Sequence, residues 1–173
     1  MLTSVVERTL ALLALAAMGI SLFSLIALVR GRVPAWLREA ALPLAAAVAV
    51  VATGGSLYLS EVAGYIPCAL CWYQRIAMYP LVIVVGVAAV RRDLDVWSTA
   101  VPLAVIGAGI AAWHVAVERL PHLGSGVCDP TAPCTILWVE EFGFLTTPTM
   151  ALIGFITIAL LILVAHRGVD APA

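Results

Sequence analysis

The chain has 173 residues, of which 64% are hydrophobic and 11% charged, with a formal net charge of −1. Soluble domains carry about 25% charged and about 45–50% apolar residues, so no compact soluble protein of this size can bury so much apolar surface. The small net charge argues against a nucleic-acid partner, and a mean hydropathy of +1.11 points to an integral membrane protein.

A crossing of ~30 Å of hydrocarbon takes about 20 helical residues. The first uncharged run that meets this is Thr9 to Val29, and the second is Ala40 to Ser60. The first is too long and too weakly basic at its start for a cleaved signal peptide, although Ala14-Leu15-Ala16 resembles a cleavage site. A membrane anchor is the expectation. The third run, Ile76 to Val90, is short and extends outward through Cys71 to Gln74, past Arg75. Val96 to Val117 is the fourth. The fifth, Phe142 to Ala165, is expected to enter the membrane near Pro148. Pro43 and Pro148 are read as helix-start prolines, where a missing N–H costs little.

All nine basic residues are arginine. Arg30, Arg32, Arg38, Arg91, Arg92 and Arg167 fall on one face, and Arg8, Arg75 and Arg119 on the other. The positive-inside bias assigns the larger set to the cytoplasm. The N-terminus and both cysteine pairs, Cys68/Cys71 and Cys128/Cys134, are then expected outside, where disulfides persist. Tyr58, Tyr65, Trp72, Tyr73, Trp113 and Trp138 mark that outer boundary, and Trp36 and Trp97 the inner one, as interfacial anchors.

The stretch PCALCWYQR holds the first pair. Cys71 is read as opening the third helix, where unpaired N–H groups and the helix dipole favour a thiolate. Arg75 lies one turn deeper on the same face. A cation at that depth is a functional candidate, and the plain alternative is that it snorkels to the headgroups. The second pair lies in the Gly- and Pro-rich loop LPHLGSGVCDPTAPC, expected to be irregular. Its short ring, flanked by Pro130 and Pro133, favours an exchangeable disulfide. The following TILWVEEFGFL is too charged to cross and reads as a short helix on the membrane surface. Four cysteines admit three readings: static staples, a zinc site with unusual spacing, or thiol–disulfide exchange. The helix start and Arg75 favour exchange. No haem, dinucleotide or second metal motif offers an acceptor, and a membrane quinone needs none.

In motif order, PCALCWYQR, then WH, CDPTAPC and WVEEFGFLTTP, the chain resembles the bacterial disulfide-bond-formation protein B (DsbB) family. It is most similar to the BdbC branch, over residues 42 to 166. The resemblance implies an all-α fold: a four-helix membrane bundle in residues 39–173, with residues 1–38 as an additional N-terminal helix and cytoplasmic turn. It implies a quinone-dependent oxidoreductase of the bacterial cytoplasmic (inner) membrane. Such a protein reoxidises an extracytoplasmic thioredoxin-like, DsbA-like dithiol oxidase and reduces ubiquinone or menaquinone. By resemblance, Cys68 and Cys71 are the quinone-linked pair, with Cys71 at the quinone and Arg75 polarising a quinone oxygen. Cys128 takes the mixed disulfide with the partner, Cys134 relays to Cys68, and His114 lies beside the quinone. Read plainly, His114 pairs with Glu118 one turn away. Glu118, Glu140 and Glu141 are read as solvated or interfacial, and His122 and His166 carry no role. Two rivals are a vitamin K epoxide reductase-like protein, in which the order of the pairs is reversed, and a scaffold with structural disulfides.

Overall fold

The computed structural model describes residues 2–124, 127–129 and 131–167. Among these, five helices are long and apolar enough to cross a membrane. They are α1 (Leu2–Val29), α2 (Ala35–Leu57), α3 (Ala69–Arg91), α4 (Trp97–Arg119) and α5 (Thr147–Arg167). The end of α2 widens into a single π-turn at Tyr58–Val62.

Helices α1 to α3 begin earlier than the uncharged runs and α3 to α5 end later, because flanking charged residues such as Arg38 and Arg119 are helical too, while α5 begins only at Thr147 and not at Phe142. Pro43 therefore sits inside α2, not at its start, and Pro80 and Pro102 are also interior. Neighbouring helices make such prolines tolerable in a membrane bundle. Pro148, by contrast, is in the first turn of α5, as expected.

Helix α5 is the centre, with Phe155, Ile158, Leu161 and Ile162 fully buried. It packs against α4, α2 and α1. Lipid tails are as apolar as leucine, so association depends on close backbone approach and not on apolar area. The sequence provides this through small residues at helical spacing. Ala100, Ala104, Gly107 and Ala111 form a stripe on α4, and Ala41, Ala45 and Ala49 one on α2, all buried. A Cβ on Gly107 would come within 2.3 Å of the Phe155 ring. α1 presents Ala11, Ala14, Ala17, Ser21 and Ser24. The Ser21 and Thr157 hydroxyls meet at 2.7 Å, and Thr157 also donates to the Ala17 carbonyl at 3.3 Å. The large exposed side chains, among them Leu22, Ile83 and Val105, form the lipid-facing surface.

The α2–α3 and α4–α5 connections lie at the same end as the start of α1. The Tyr65 hydroxyl donates to Glu7, and Arg8 lies 3.8 Å from Glu141. The expected surface helix within TILWVEEFGFL is not formed. Its second half is instead a tight hairpin, Glu140–Glu141 paired antiparallel with Leu145–Thr146. Phe142 and Gly143 at its tip both have positive φ, the primed-turn geometry that fits the twist of a hairpin. A left-handed Phe-Gly pair stops a helix there. The helical turn of this loop is instead a short 3-10 element at Pro121–Gly124. Leu145 and Thr146 are buried and seat the hairpin on the bundle. Pro130 lies outside the described residues.

Candidate functional site

Helix α3 starts at Ala69, two residues before the expected opening at Cys71. Cys68 is its N-cap, in extended conformation, and its sulfur accepts the Cys71 N–H at 3.3 Å. The spacing of the two cysteines causes this: a cap side chain reaches the N–H of the third helical residue, here the other cysteine. The position that favours an anion is thus occupied by Cys68. Cys68 and Cys71 are a dithiol with their sulfurs 3.0 Å apart. Cys68 is buried, and Cys71 is partly accessible. The hydrogen bond from the Cys71 thiol holds the Cys68 pKa down to about 4, with His114 assisting and burial opposing.

His114 comes from α4 and is buried. Its Nε2 lies 3.2 Å from the Cys134 carbonyl and 3.7 Å from the Cys68 sulfur. A carbonyl only accepts, so Nε2 carries the proton. Nδ1 must then accept, and it does, from the Gln74 side-chain amide at 2.9 Å. The hydrogen bonds of His114 run to α3 and the cysteine loop, not to Glu118. Glu118 instead accepts from the Thr146 hydroxyl at 2.8 Å, tying α4 to the hairpin.

Cys128 and Cys134 form a disulfide. Cys134 is buried in a small apolar cluster with Cys68, Leu70 and Val117. The ligand atoms of Cys68, His114 and Cys134 all lie within 4.8 Å of one another. A sulfur bonded to another sulfur is not a thiolate ligand, so in this state the trio has the composition of an exchange site. Tyr65 and Trp138, one from each cysteine loop, stack at 4.9 Å between centroids. The two segments that the sequence separates are thereby pressed together.

Arg75 does not snorkel. It is buried, its Nε donates to the Ser56 hydroxyl at 3.0 Å, and an Nη donates to the Ser56 carbonyl at 2.9 Å. Trp72 covers the guanidinium at 5.1 Å, a cation–π contact. The Ser56 carbonyl lies just before the π-turn that ends α2 and takes this bond beside one from the Ser60 hydroxyl at 3.3 Å. Cys71, Arg75, Gln74 and His114 all line one cavity of about 320 Å³. Its wall is polar beside the cysteines and apolar deeper in the bundle. A flat, polar-edged ring with an apolar remainder fits that polarity: a thiol and a guanidinium at one end, aliphatic side chains beyond.

The four cysteines, Arg75 and His114, singled out from the sequence, are gathered at one end of the bundle. Gln74 and Ser56 were not anticipated. Gln74 carries a signal: an uncharged polar residue inside a span, one turn from the Cys71 thiol. Ser56 carries none, because its role depends on how α2 ends.

A family model described as disulfide bond formation protein DsbB matches residues 38–165. The chain is 45% identical to a probable disulfide formation protein C 1 of Bacillus cereus, over 70% of this chain and 88% of the relative. It is 46% identical to disulfide bond formation protein C of Bacillus subtilis, over 64% of this chain and 81% of the relative. A probable disulfide formation protein of Metapseudomonas resinovorans is 38% identical over 69% of this chain and 85% of the relative. No solved structure matches. The matched region leaves α1 outside it.

Proposed function

From the premise that this chain belongs to the DsbB family, whose members are multi-pass membrane oxidoreductases that generate disulfides, we propose that it carries electrons from an extracytoplasmic thioredoxin-like dithiol protein to a membrane quinone. The cysteine end of the bundle faces outward from the bacterial cytoplasmic membrane. The arginine distribution supports this orientation, since Arg30, Arg32, Arg38, Arg91, Arg92 and Arg167 belong to the opposite end.

The single observation that carries the reading is the closeness of Cys68 to Cys134, held by His114 within 4.8 Å. A thiolate of the partner attacks Cys128, the more accessible sulfur of the loop pair, and Cys134 leaves as a thiolate. Cys134 attacks Cys68 of an oxidised Cys68–Cys71 pair, and Cys71 leaves as a thiolate beside Arg75. The partner's second thiol then displaces Cys128, and the partner departs with its new disulfide. Cys128 attacks Cys134, restores the loop disulfide and releases Cys68. The outcome is a Cys68/Cys71 dithiol facing an intact Cys128–Cys134 disulfide, the state seen in this structure. Each round has moved two electrons and two protons from the partner to Cys68 and Cys71.

A quinone bound in the cavity supplies the two-electron, two-proton sink. The residues that would hold it are Cys71, Arg75 and His114, the first placing sulfur at the cavity wall and the second presenting a cation where negative charge develops. Thiol trapping of the purified protein in membranes tests the scheme. Given reduced partner, Cys68 and Cys71 should collect as dithiol without quinone and return to disulfide when quinone is added. Two pairs that hold one alkylation state throughout are staples, and the reading fails.

A further inference from the structure

The cavity that reaches Cys71 and Arg75 does not end beside them. It continues between α1, α2 and α5, as deep as Leu44 and Ile20. From Ser56 to Leu44 the α2 wall alone is about 18 Å long. A single ring occupies only the polar end of such a space. The rest is lined by Leu13, Ala14, Ala17 and Ile20 of α1 and by Leu44 and Val48 of α2.

Helix α1 touches α2 at two levels. Near the cysteine end Leu10 packs on Gly55, where an added Cβ would come within 2.7 Å of the leucine. Toward the other end Phe23 stacks on Trp36 at 5.8 Å. Between these pins, side chains of both helices line the cavity. Two of them, Leu13 at 47% exposed and Val51 at 40%, border the cavity and the lipid-facing surface at once. They mark a lateral opening. The α5 contacts through Ser21, Thr157 and the Ala17 carbonyl hold α1 in register. Glu7 on Tyr65 and Arg8 by Glu141 fix its outer end to both cysteine loops.

We propose that α1 is part of the acceptor site: with α2 it forms a channel for the apolar tail of the membrane quinone, which enters and leaves between Leu13 and Val51. This rests on the quinone reading above and adds to it a binding surface from the segment that the family match does not cover. The occupant follows from continuity with the cysteine site and from polarity. A molecule with a redox-active ring at Cys71 and a long, thin apolar tail along α1 is an isoprenoid quinone.

The test compares ubiquinone with one isoprene unit against ubiquinone with several, using the full chain in nanodiscs with reduced partner. Ala14→Phe narrows the channel from α1, and Val48→Phe narrows it from α2, so one variant suffices if the other fails to fold. Each should raise the ratio of KM values, long tail over short, about tenfold, while Leu12→Phe, on the lipid-facing side of α1, leaves the ratio unchanged. An unchanged ratio in both channel variants overturns the channel while leaving the quinone reading intact. A wild-type protein that reduces neither quinone overturns both.

Discussion

The two cysteine pairs are a few ångströms apart and are built on opposite plans. Cys68 and Cys71 are fixed by a helix cap, one turn of α3 and a hydrogen-bonded histidine. Cys128 and Cys134 lie in an irregular loop tied to the bundle by tertiary contacts: the His114 bond to the Cys134 carbonyl, the Tyr65–Trp138 stack and the Thr146–Glu118 bond. The first pair has its electrostatics set by regular structure. The second has its position set by contacts that can loosen. That division suits a relay in which one pair must receive a protein partner and the other must remain beside a small acceptor. Preorganisation is useful at the acceptor, and adaptability at the docking loop.

The largest test of this division is Cys71→Ser. It should lower quinone reduction about a thousandfold or more, because the accessible thiol beside Arg75 is gone and the buried Cys68 has no partner with which to re-form a disulfide. Trapping should still find Cys128 and Cys134 exchanging with the partner. Loss of exchange at both pairs would mean that they are not separable. Arg75→His comes next. It removes the two bonds to Ser56 and the cation over Trp72. Quinone KM should rise about tenfold, equivalent to about 1.4 kcal/mol, with the loop exchange rate unchanged. An unaltered KM would return Arg75 to a structural role.

The smallest effect tests how Cys68 is tuned. Its folded pKa of about 4 lies below the ordinary thiol value, so the thiolate is present from neutral pH down to the acid range and is lost as pH falls through about 4. Gln74→Leu frees the Nδ1 end of His114 and weakens the Nε2 proton's hold on Cys68. The thiolate absorbance of the dithiol form should then titrate at a higher pH, by about one unit or less. A midpoint that does not move would show that Gln74 only packs.

Much of this arrangement was legible in the residues. The five spans follow from the hydropathy of Thr9–Val29, Ala40–Ser60 and their successors, since four runs are long enough to cross and the third becomes so when extended past Arg75 to Cys71. The gathering of both pairs at one end follows as well, because odd and even spans alternate in direction. Two expectations were corrected for local reasons. Residues 135–145 carry the composition of a surface helix, yet Phe142-Gly143 in the left-handed region forms a turn. Cys71 looked like a helix start because apolarity begins there, but hydrogen bonding sets the cap, and Cys68 provides it.

Readable from the residues alone were a membrane protein, four cysteines at one end of its spans, and a cation one turn below Cys71. These are consequences of composition and of helical period, which act along the chain. Packing in three dimensions was needed to see that Ser56 holds Arg75, that Gln74 fixes the proton of His114, and that α1 walls a cavity continuous with Cys71. Each of these depends on which faces of separate helices meet. In a bundle assembled by small residues and a few hydrogen bonds, apolar runs do not encode that choice; the close approaches at Gly55, Gly107 and Ser21 do.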